Sequence, residues 1–279
     1  VMQPESTPLP RLTVTIVVFN SPLPLLVRTL RSLVAACAPL RGRSVSEVSI
    51  QLVDNGSATR YKRELEQSLA GEKWPGVTLD SLDENRGFGA GQNRALVAGV
   101  GDIHLVLNPD VELAADALQR GLDIMSEDSS LVLLSPAARG DGGEPEFLCK
   151  RYPSVAVLAL RAFLPGLGRR LFPSLMSRYD MSDVCGNGQP VEVPLASGCF
   201  MLLRGSAFAE VGGFDESFFL YFEDFDLSLR LGQLGSLRYE PSVRIVHHGG
   251  YAASKGWRHL KLFVRSGWQF FNRHGWRWI

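Results

Sequence analysis

The chain has 279 residues, 45% of them hydrophobic, enough for one large core or two small ones. Its 29 Lys and Arg balance its 29 Asp and Glu, so net charge gives no sign of a nucleic-acid partner and none is expected. Cys37, Cys149, Cys185 and Cys199 lack the spacing of a zinc site or a disulfide framework, and buried thiols in a reducing compartment are expected. Residues 1–10 are polar and Pro-rich, without the apolar stretch of a signal peptide. No run of ~18 apolar residues suggests a membrane span.

In chain order, "LTVTIVVF" (12–19) is rich in β-branched residues and predicts a buried strand. In "SPLPLLVRTLRSLVAACAP", Ser21 is placed to cap a helix with Pro22 in its first turn, and Leu26, Leu30, Leu33 and Cys37 recur at helical spacing. "VSIQLVD" (48–54) predicts a second strand, closed by the turn "NGS". A polar-faced helix over 58–70, a third strand in "VTLDSL" (77–82), and a helix in "GAGQNRALVAGV" follow. "IHLVL" (103–107) predicts a fourth strand, closed by "NPD". Strand and helix alternate about every 25 residues, which argues for a parallel α/β sheet.

Beyond about residue 136 the rhythm changes. The loop "RGDGGEPE" leads into 150–179, which holds six basic residues and no acid. "CFMLL" (199–203) predicts a short strand, "SFFLYFEDFDLSLRLGQLG" an amphipathic helix opened by rings and carboxylates, and the last strand falls near "VRIVHH". The expected organisation is a flexible 1–10, a single domain over 11–255, and a basic aromatic helix over 256–279. The domain divides into a nucleotide-binding half, about 11–136, and an acceptor half, about 137–255.

In open parallel sheets, ligands gather at the carboxyl ends of the strands. Four polar clusters fall there: Asn20; Asp54-Asn55-Gly56-Ser57; Asn85-Arg86-Gly87-Phe88-Gly89; and Asn108-Pro109-Asp110. Each alone is ordinary turn chemistry; four on one edge point to a ligand. Asp54 can accept hydrogen bonds from a pyrimidine imide or a ribose. The glycines let backbone N–H groups approach a diphosphate, the following helix offers its positive end, and Arg86 can pair with phosphate. The spacing is not G-x-G-x-x-G and follows the third strand, so this is no dinucleotide fingerprint. A lone carboxylate at Asp110 suits a Mg²⁺ or Mn²⁺ ion that bridges phosphates and keeps waters.

"TIVVFN", "VDNGS", "ENRGFGAGQNRAL", "LNPDVEL", "ASGCFMLLRGSAFAEVGGFDESFFLYFEDFDLSLRLGQLG" and "VRIVHHGG" occur in this order. Across residues 11–255 the chain resembles inverting family 2 glycosyltransferases of the GT-A fold. It is most similar to the bacterial rhamnosyltransferase-like branch, which builds cell-surface polysaccharide such as lipopolysaccharide. The resemblance implies an α/β, Rossmann-like sheet, mostly parallel and flanked by helices. It also implies a nucleotide-diphosphate sugar donor, with dTDP-L-rhamnose the first choice and a UDP-hexose or UDP-galactofuranose the alternative. The acceptor implied is a saccharide or lipid-linked saccharide.

By the same resemblance Asn20, Asp54, Asn85, Arg86, Gly87, Asn108 and Asp110 line the nucleotide sugar. Asn108-Pro109-Asp110 stands where the family carries an Asp-x-Asp motif, leaving Asp110 as the main carboxylate for a divalent metal (Mg²⁺ or Mn²⁺). One of His247 and His248 joins it, with His247 preferred on strand register. Asp224 is the general base. Its rings are expected to floor the sugar site and exclude water, raising its pKa. Ser197, Gly198, Asp215 and Glu223 are placed on the acceptor side. Asp226, about 200° around the helix from Asp224, faces elsewhere, as a cap or a partner of Arg230. Two rival readings are a nucleotidylyltransferase, which needs a Gly-rich basic loop where "FNSPLP" stands, and a non-catalytic nucleotide-sugar binding module.

The segment 257–279 holds five basic residues, no acid and four of the five tryptophans. Leu260, Phe263, Val264, Gly267, Trp268 and Phe271 trace one helical face. That pattern suits either packing on the domain or lying on an anionic membrane, and "NRHGWRWI" reads as interfacial. The location expected is cytoplasmic, peripheral on the inner face of the membrane.

Overall fold

A computed structural model describes residues 9–249 and 256–279, so the expected flexible start lies almost wholly outside the described residues. In the first half β1 (Arg11–Val18), β2 (Glu47–Asp54), β3 (Val77–Ser81) and β4 (Ile103–Leu107) alternate with α1 (Leu23–Cys37), α2 (Thr59–Ala70), α3 (Phe88–Gln92) and α4 (Arg94–Ala98). Then come β5 (Val111–Leu113), α5 (Ala117–Glu127), β6 (Leu131–Arg139), β7 (Pro145–Glu146) and β8 (Cys149–Lys150). The basic stretch folds as α6 (Val155–Phe163), α7 (Pro165–Leu171), α8 (Pro173–Asp180) and α9 (Ser182–Cys185). The chain ends with β9 (Val191–Glu192), β10 (Leu195–Ala196), β11 (Phe200–Arg204), α10 (Gly205–Glu210), α11 (Glu223–Leu231), β12 (Ser236–His247) and α12 (Trp257–His274).

The main sheet runs β3-β2-β1-β4-β11-β6-β12-β5. The strands of the first half pair in parallel, as buried β-branched runs do when helices cover both faces. β11 lies antiparallel between β4 and β6, and β12 runs parallel to β6 but antiparallel to β5. This order sets the ends of β1, β2 and β4 side by side, and β12 delivers its last residues to the loop after β4.

Two apolar clusters fill the sheet's faces. By length and hydropathy Leu23–Leu40 could cross a bilayer; here it carries α1, whose Leu26, Leu30 and Leu33 are buried against the sheet. The Ser21 cap does not form: Pro22 takes the N-cap position and Ser21 Oγ instead accepts from Phe19 N–H (3.3 Å). The helix expected after the glycine turn is broken at Asn93. That side chain accepts from Phe214 N–H and donates to Phe214 O, both at 2.8 Å, clipping two distant segments together. All four cysteines are free and buried.

Candidate active site

The turns after β1, β2 and β3 interlock. Asn20, exposed and at a positive φ of 50°, accepts from Ala58 N–H (3.1 Å), and its own N–H donates to Ser57 Oγ (2.9 Å). Asp54 is buried at the end of β2. Its Oδ1 accepts from Ser57 N–H (3.2 Å), and its Oδ2 has no hydrogen-bond partner among the described residues, with Lys62 Nζ 3.5 Å away. Asn55, which sequence reasoning assigned no separate role, ties the next turn down. Its Nδ2 donates to Asn85 Oδ1 (3.1 Å) and Gly87 O (2.8 Å), and its Oδ1 accepts from Arg86 N–H (3.2 Å). Asn85 Oδ1 also accepts from Gly87 N–H (2.9 Å), while Arg86 projects outward, 3.7 Å from Glu216.

Gly87 sits at φ +96°, where a Cβ would lie 2.5 Å from Phe219 O. Gly87→Ala should destabilise the fold by about 1–3 kcal/mol and push the 85–88 turn off the loop before α11. A thermal melt reads the first effect and nucleotide-sugar affinity the second. The short α3 offers less dipole than an unbroken helix, so the expected helix-end contribution shrinks, and the N–H groups of Arg86, Gly87 and Phe88 are already taken by Asn55, Asn85 and Phe219.

At the end of β4, Asn108 N–H donates to Cys199 O (2.9 Å). Asp110 Oδ1 is buried with no hydrogen-bond partner among the described residues. The β12–β5 register pairs His247 with Val111 and sets His247 Nε2 3.7 Å from that oxygen. His247 Nδ1 lies 2.8 Å from Glu146 Oε2. Burial opposes a charge on this ring, but the bond to Glu146 and the charges of Glu146 and Asp110 outweigh it and raise its pKa. His248 turns the other way, into Glu112 (2.7 Å) and Asp141. Among the described residues no three His, Cys, Asp or Glu side chains close on a metal point. An orphaned carboxylate oxygen beside a histidine whose other nitrogen is oriented by a carboxylate nevertheless fits a Mg²⁺ or Mn²⁺ ion that keeps waters and phosphate oxygens.

The acidic motif opens α11. Tyr221 and Phe222, at φ +71° and +66°, precede it in the left-handed region. Such a conformation costs of order 1–3 kcal/mol per residue and clusters at functional sites. The kink drives Phe222 into the core and leaves Glu223 and Asp224 at the head of the helix. Asp224 Oδ2 accepts from Gly198 N–H (3.0 Å) and Oδ1 from Phe225 N–H (2.9 Å). Glu223 is 5% exposed, with Oε2 unpartnered among the described residues. Burial and then the charge of Asp224 push Glu223 well above the carboxylate range. Burial also raises Asp224, held back by the two N–H groups and by Lys150. The two neighbouring carboxyls thus sit in unequal environments, both raised by burial, with Asp224 the one held back by two backbone N–H groups and Lys150.

A family description, glycosyl transferase family 2, matches residues 13–212. The chain belongs to this family. It is a glycosyltransferase. The match spans Asp54, Asn85 to Gly87, Asp110 and Gly198, and stops short of Asp224 and His247. The chain is 32% identical to the Mycobacterium tuberculosis N-acetylglucosaminyl-diphospho-decaprenol L-rhamnosyltransferase over 278 residues, covering 94% of this chain and 85% of that protein. It is 29% identical to the Escherichia coli rhamnosyltransferase WbbL over 175 residues, 59% of this chain and 61% of WbbL. Its fold is similar to that of GalNAc-T7 solved with UDP, GalNAc and Mn²⁺, with TM-score 0.65 and 16% identity over 95% of this chain and 48% of that one. It is also similar to the mannosyltransferase PcManGT from Pyrobaculum calidifontis in complex with GDP-Man and Mn²⁺, with TM-score 0.62 and 18% identity over 96% and 64%. The fold is GT-A.

Beside Asp224 the glycosyltransferase has a cavity of about 780 Å³ lined by Glu223, Asp224, Lys150, Arg161, Tyr179 and Phe225, among others. Gly198 backs Asp224 directly; Ser197 lies beside it, its N–H donating to Leu148 O (3.0 Å). Asp215 is not brought to this cavity. It takes Arg273 of α12 and Ser217, whose N–H donates to it at 2.8 Å. The aromatic wall is mostly a socket for α12 rather than an open floor. Phe218 is buried under Arg273, and Phe222 packs on Phe263 (5.2 Å) and Phe270 (5.3 Å). Only Tyr221, Phe222 and Phe225 of the wall reach the cavity.

The buried side of α12 is rotated from the expected stripe. Ser266, Phe270 and Phe271 are buried and Gly267 meets the Phe222 ring, whereas Val264 and Trp268 are 58% and 62% exposed. The final segment folds back. Carbonyls of Arg277 and Trp278 accept from Val155 N–H (2.8 Å) and Ala156 N–H (3.1 Å), satisfying the start of α6. Lys150, Arg161 and Glu146 are site residues that sequence reasoning did not single out; the acid-free basic stretch was the signal for the first two.

Proposed function

We propose that this glycosyltransferase moves L-rhamnose from dTDP-L-rhamnose to a lipid-linked saccharide, with inversion, in bacterial cell-surface polysaccharide synthesis. The observation that carries the reading is Asp224, a carboxylate held by two backbone N–H groups at the wall of a cavity, beside a buried Glu223. The acceptor oxygen attacks the anomeric carbon, the bond from that carbon to the diphosphate oxygen breaks, and Asp224 takes the hydroxyl proton. One displacement inverts the carbon without a covalent nucleophile. Asp54 holds the base or ribose, with Asn20 and Asn108 flanking. The exposed Arg86 guanidinium stabilises the charge gathering on the diphosphate, on a turn shaped by Asn85 and Gly87. Asp110 and His247 would hold a Mg²⁺ or Mn²⁺ ion, which would supply further stabilisation of that charge.

Rhamnose is carried over from the names of both rhamnosyltransferase relatives and the lipid-linked acceptor from the Mycobacterium tuberculosis one, while the dTDP carrier rests on the family resemblance alone. Exposed Trp257, Trp268 and Trp278 beside Lys261 and Arg265 support a cytoplasmic enzyme resting on the anionic inner face of the membrane. Thermal melts with a panel of nucleotide sugars, each with and without Mn²⁺ or Mg²⁺, test the reading. Stabilisation by dTDP-rhamnose that needs the metal is the expected result. Stabilisation by UDP-hexose or UDP-galactofuranose instead removes the rhamnose assignment. No stabilisation by any nucleotide removes the donor site itself.

A further inference from the structure

The cavity beside Asp224 does not end at the sugar. Leu158, Ala162, Phe222, Leu260 and Phe263 line both it and an adjoining groove of about 230 Å³ between α6 and α12. The groove's other walls include Val155, Ala159, Val264, Gly267 and Trp268, every one apolar. Two cations line the cavity itself. Lys150 Nζ lies 3.6 Å from Asp180, and the Arg161 guanidinium shares that same carboxylate. Asp180 lies behind them, so one carboxylate faces two positive charges.

We propose that this continuous surface is the seat of an isoprenoid diphosphate: Lys150 and Arg161 take the acceptor's diphosphate, and the α6–α12 groove takes the first units of its hydrocarbon chain. The proposal rests on the lipid-linked acceptor reading above and adds the site that holds it. The sequence of chemistries along the surface is that of such a molecule: a base for the sugar hydroxyl, cations for a bridging diphosphate, then a dry channel. A peptide or an oligosaccharide in the groove would leave its polar groups unpaired. The exposed Val264 and Trp268 at the outer lip let the rest of the chain leave toward a bilayer.

Tryptophan fluorescence tests this, because Trp268 and Trp276 line the groove. Farnesyl diphosphate should change the emission and bind about tenfold or more tighter than farnesol or inorganic diphosphate, each of which meets half of the site. Ala159→Glu, at an exposed position that tolerates the larger side chain, should weaken farnesyl diphosphate about tenfold, and Arg161→Gln likewise. The nucleotide-sugar melt reports that both variants are folded. Equal binding of farnesol and farnesyl diphosphate, or no effect of Ala159→Glu, would each overturn the proposal. Transfer assays separate the two levels. Farnesyl diphosphate binding without transfer to any lipid-linked acceptor keeps the subsite and removes the function. Transfer whose acceptor KM ignores Ala159→Glu removes the subsite and keeps the function.

Discussion

Asp224→Asn should lower kcat by about 10²–10⁴-fold while leaving nucleotide-sugar binding intact. The amide has the same shape, but its single oxygen keeps only one of the two backbone donors, Gly198 or Phe225 N–H, and its NH₂ faces the other, so a small loss of stability accompanies a retained fold. It cannot accept the acceptor's proton. Turnover is read with the best donor from the melt panel and binding by the melt itself; loss of both together would mean that Asp224 holds the donor instead. The wild-type pH profile adds a second check. As the proposed base Asp224 would work only when ionised, and burial has raised its pKa, so activity should rise with pH through a midpoint above the ordinary value of about 3.9.

Glu223→Gln separates the neighbours. Glu223 is raised in the folded state, so its stabilising contribution is greatest below its unfolded value and is lost as pH climbs from there toward its folded value. Glutamine removes that loss. The variant should melt higher than wild type at about pH 8, match it at about pH 4, and keep most of its turnover.

The parallel half of the sheet was legible because each strand is a short β-branched run closed by Asn, Asp or Gly, and because buried strands tolerate little else. The polar ends of those strands fell on one edge for the same reason. That His247 rather than His248 turns toward Asp110 was also readable, since side chains alternate along a strand. What escaped was set by contacts between distant residues. Nothing near Asn93 announces that its side chain binds Phe214, and that bond is what splits the helix. Phe270 and Phe271 are adjacent, so periodicity could place either on the buried face; the close approach of Gly267 to Phe222 fixes the rotation. Asp215 was read from its motif as an acceptor contact, but Arg273 lies 58 residues away in sequence and claims it. Four short helices in the basic stretch carry no long apolar period to find.

Asp226→Asn should cost about 3 kcal/mol and lower the melting temperature by about 6–12 °C. Asp226 is fully buried and accepts from Arg230 Nε at 2.8 Å, lies 3.1 Å from Arg273 and 2.8 Å from His274 Nε2. Sequence spacing gave only the Arg230 pair. Removing the charge leaves two guanidinium groups converging on a neutral amide whose NH₂ repels them, which is why breaking a buried pair costs more than a surface one. The low end of the range applies because Arg230 keeps the carbonyls of Val211 and Gly213, and Arg273 keeps Asp215. Arg273→Gln should cost less, since Asp226 retains Arg230 and His274. The functional consequence separates this anchor from a general weakening. Asp226 helps tie α12 to the head of α11, and α12 forms one wall of the cavity beside Asp224, the proposed acceptor site. Below its melting temperature the variant should therefore keep donor binding and show a raised acceptor KM. Loss of donor binding at that temperature would mean that the anchor supports the whole sheet rather than the acceptor wall.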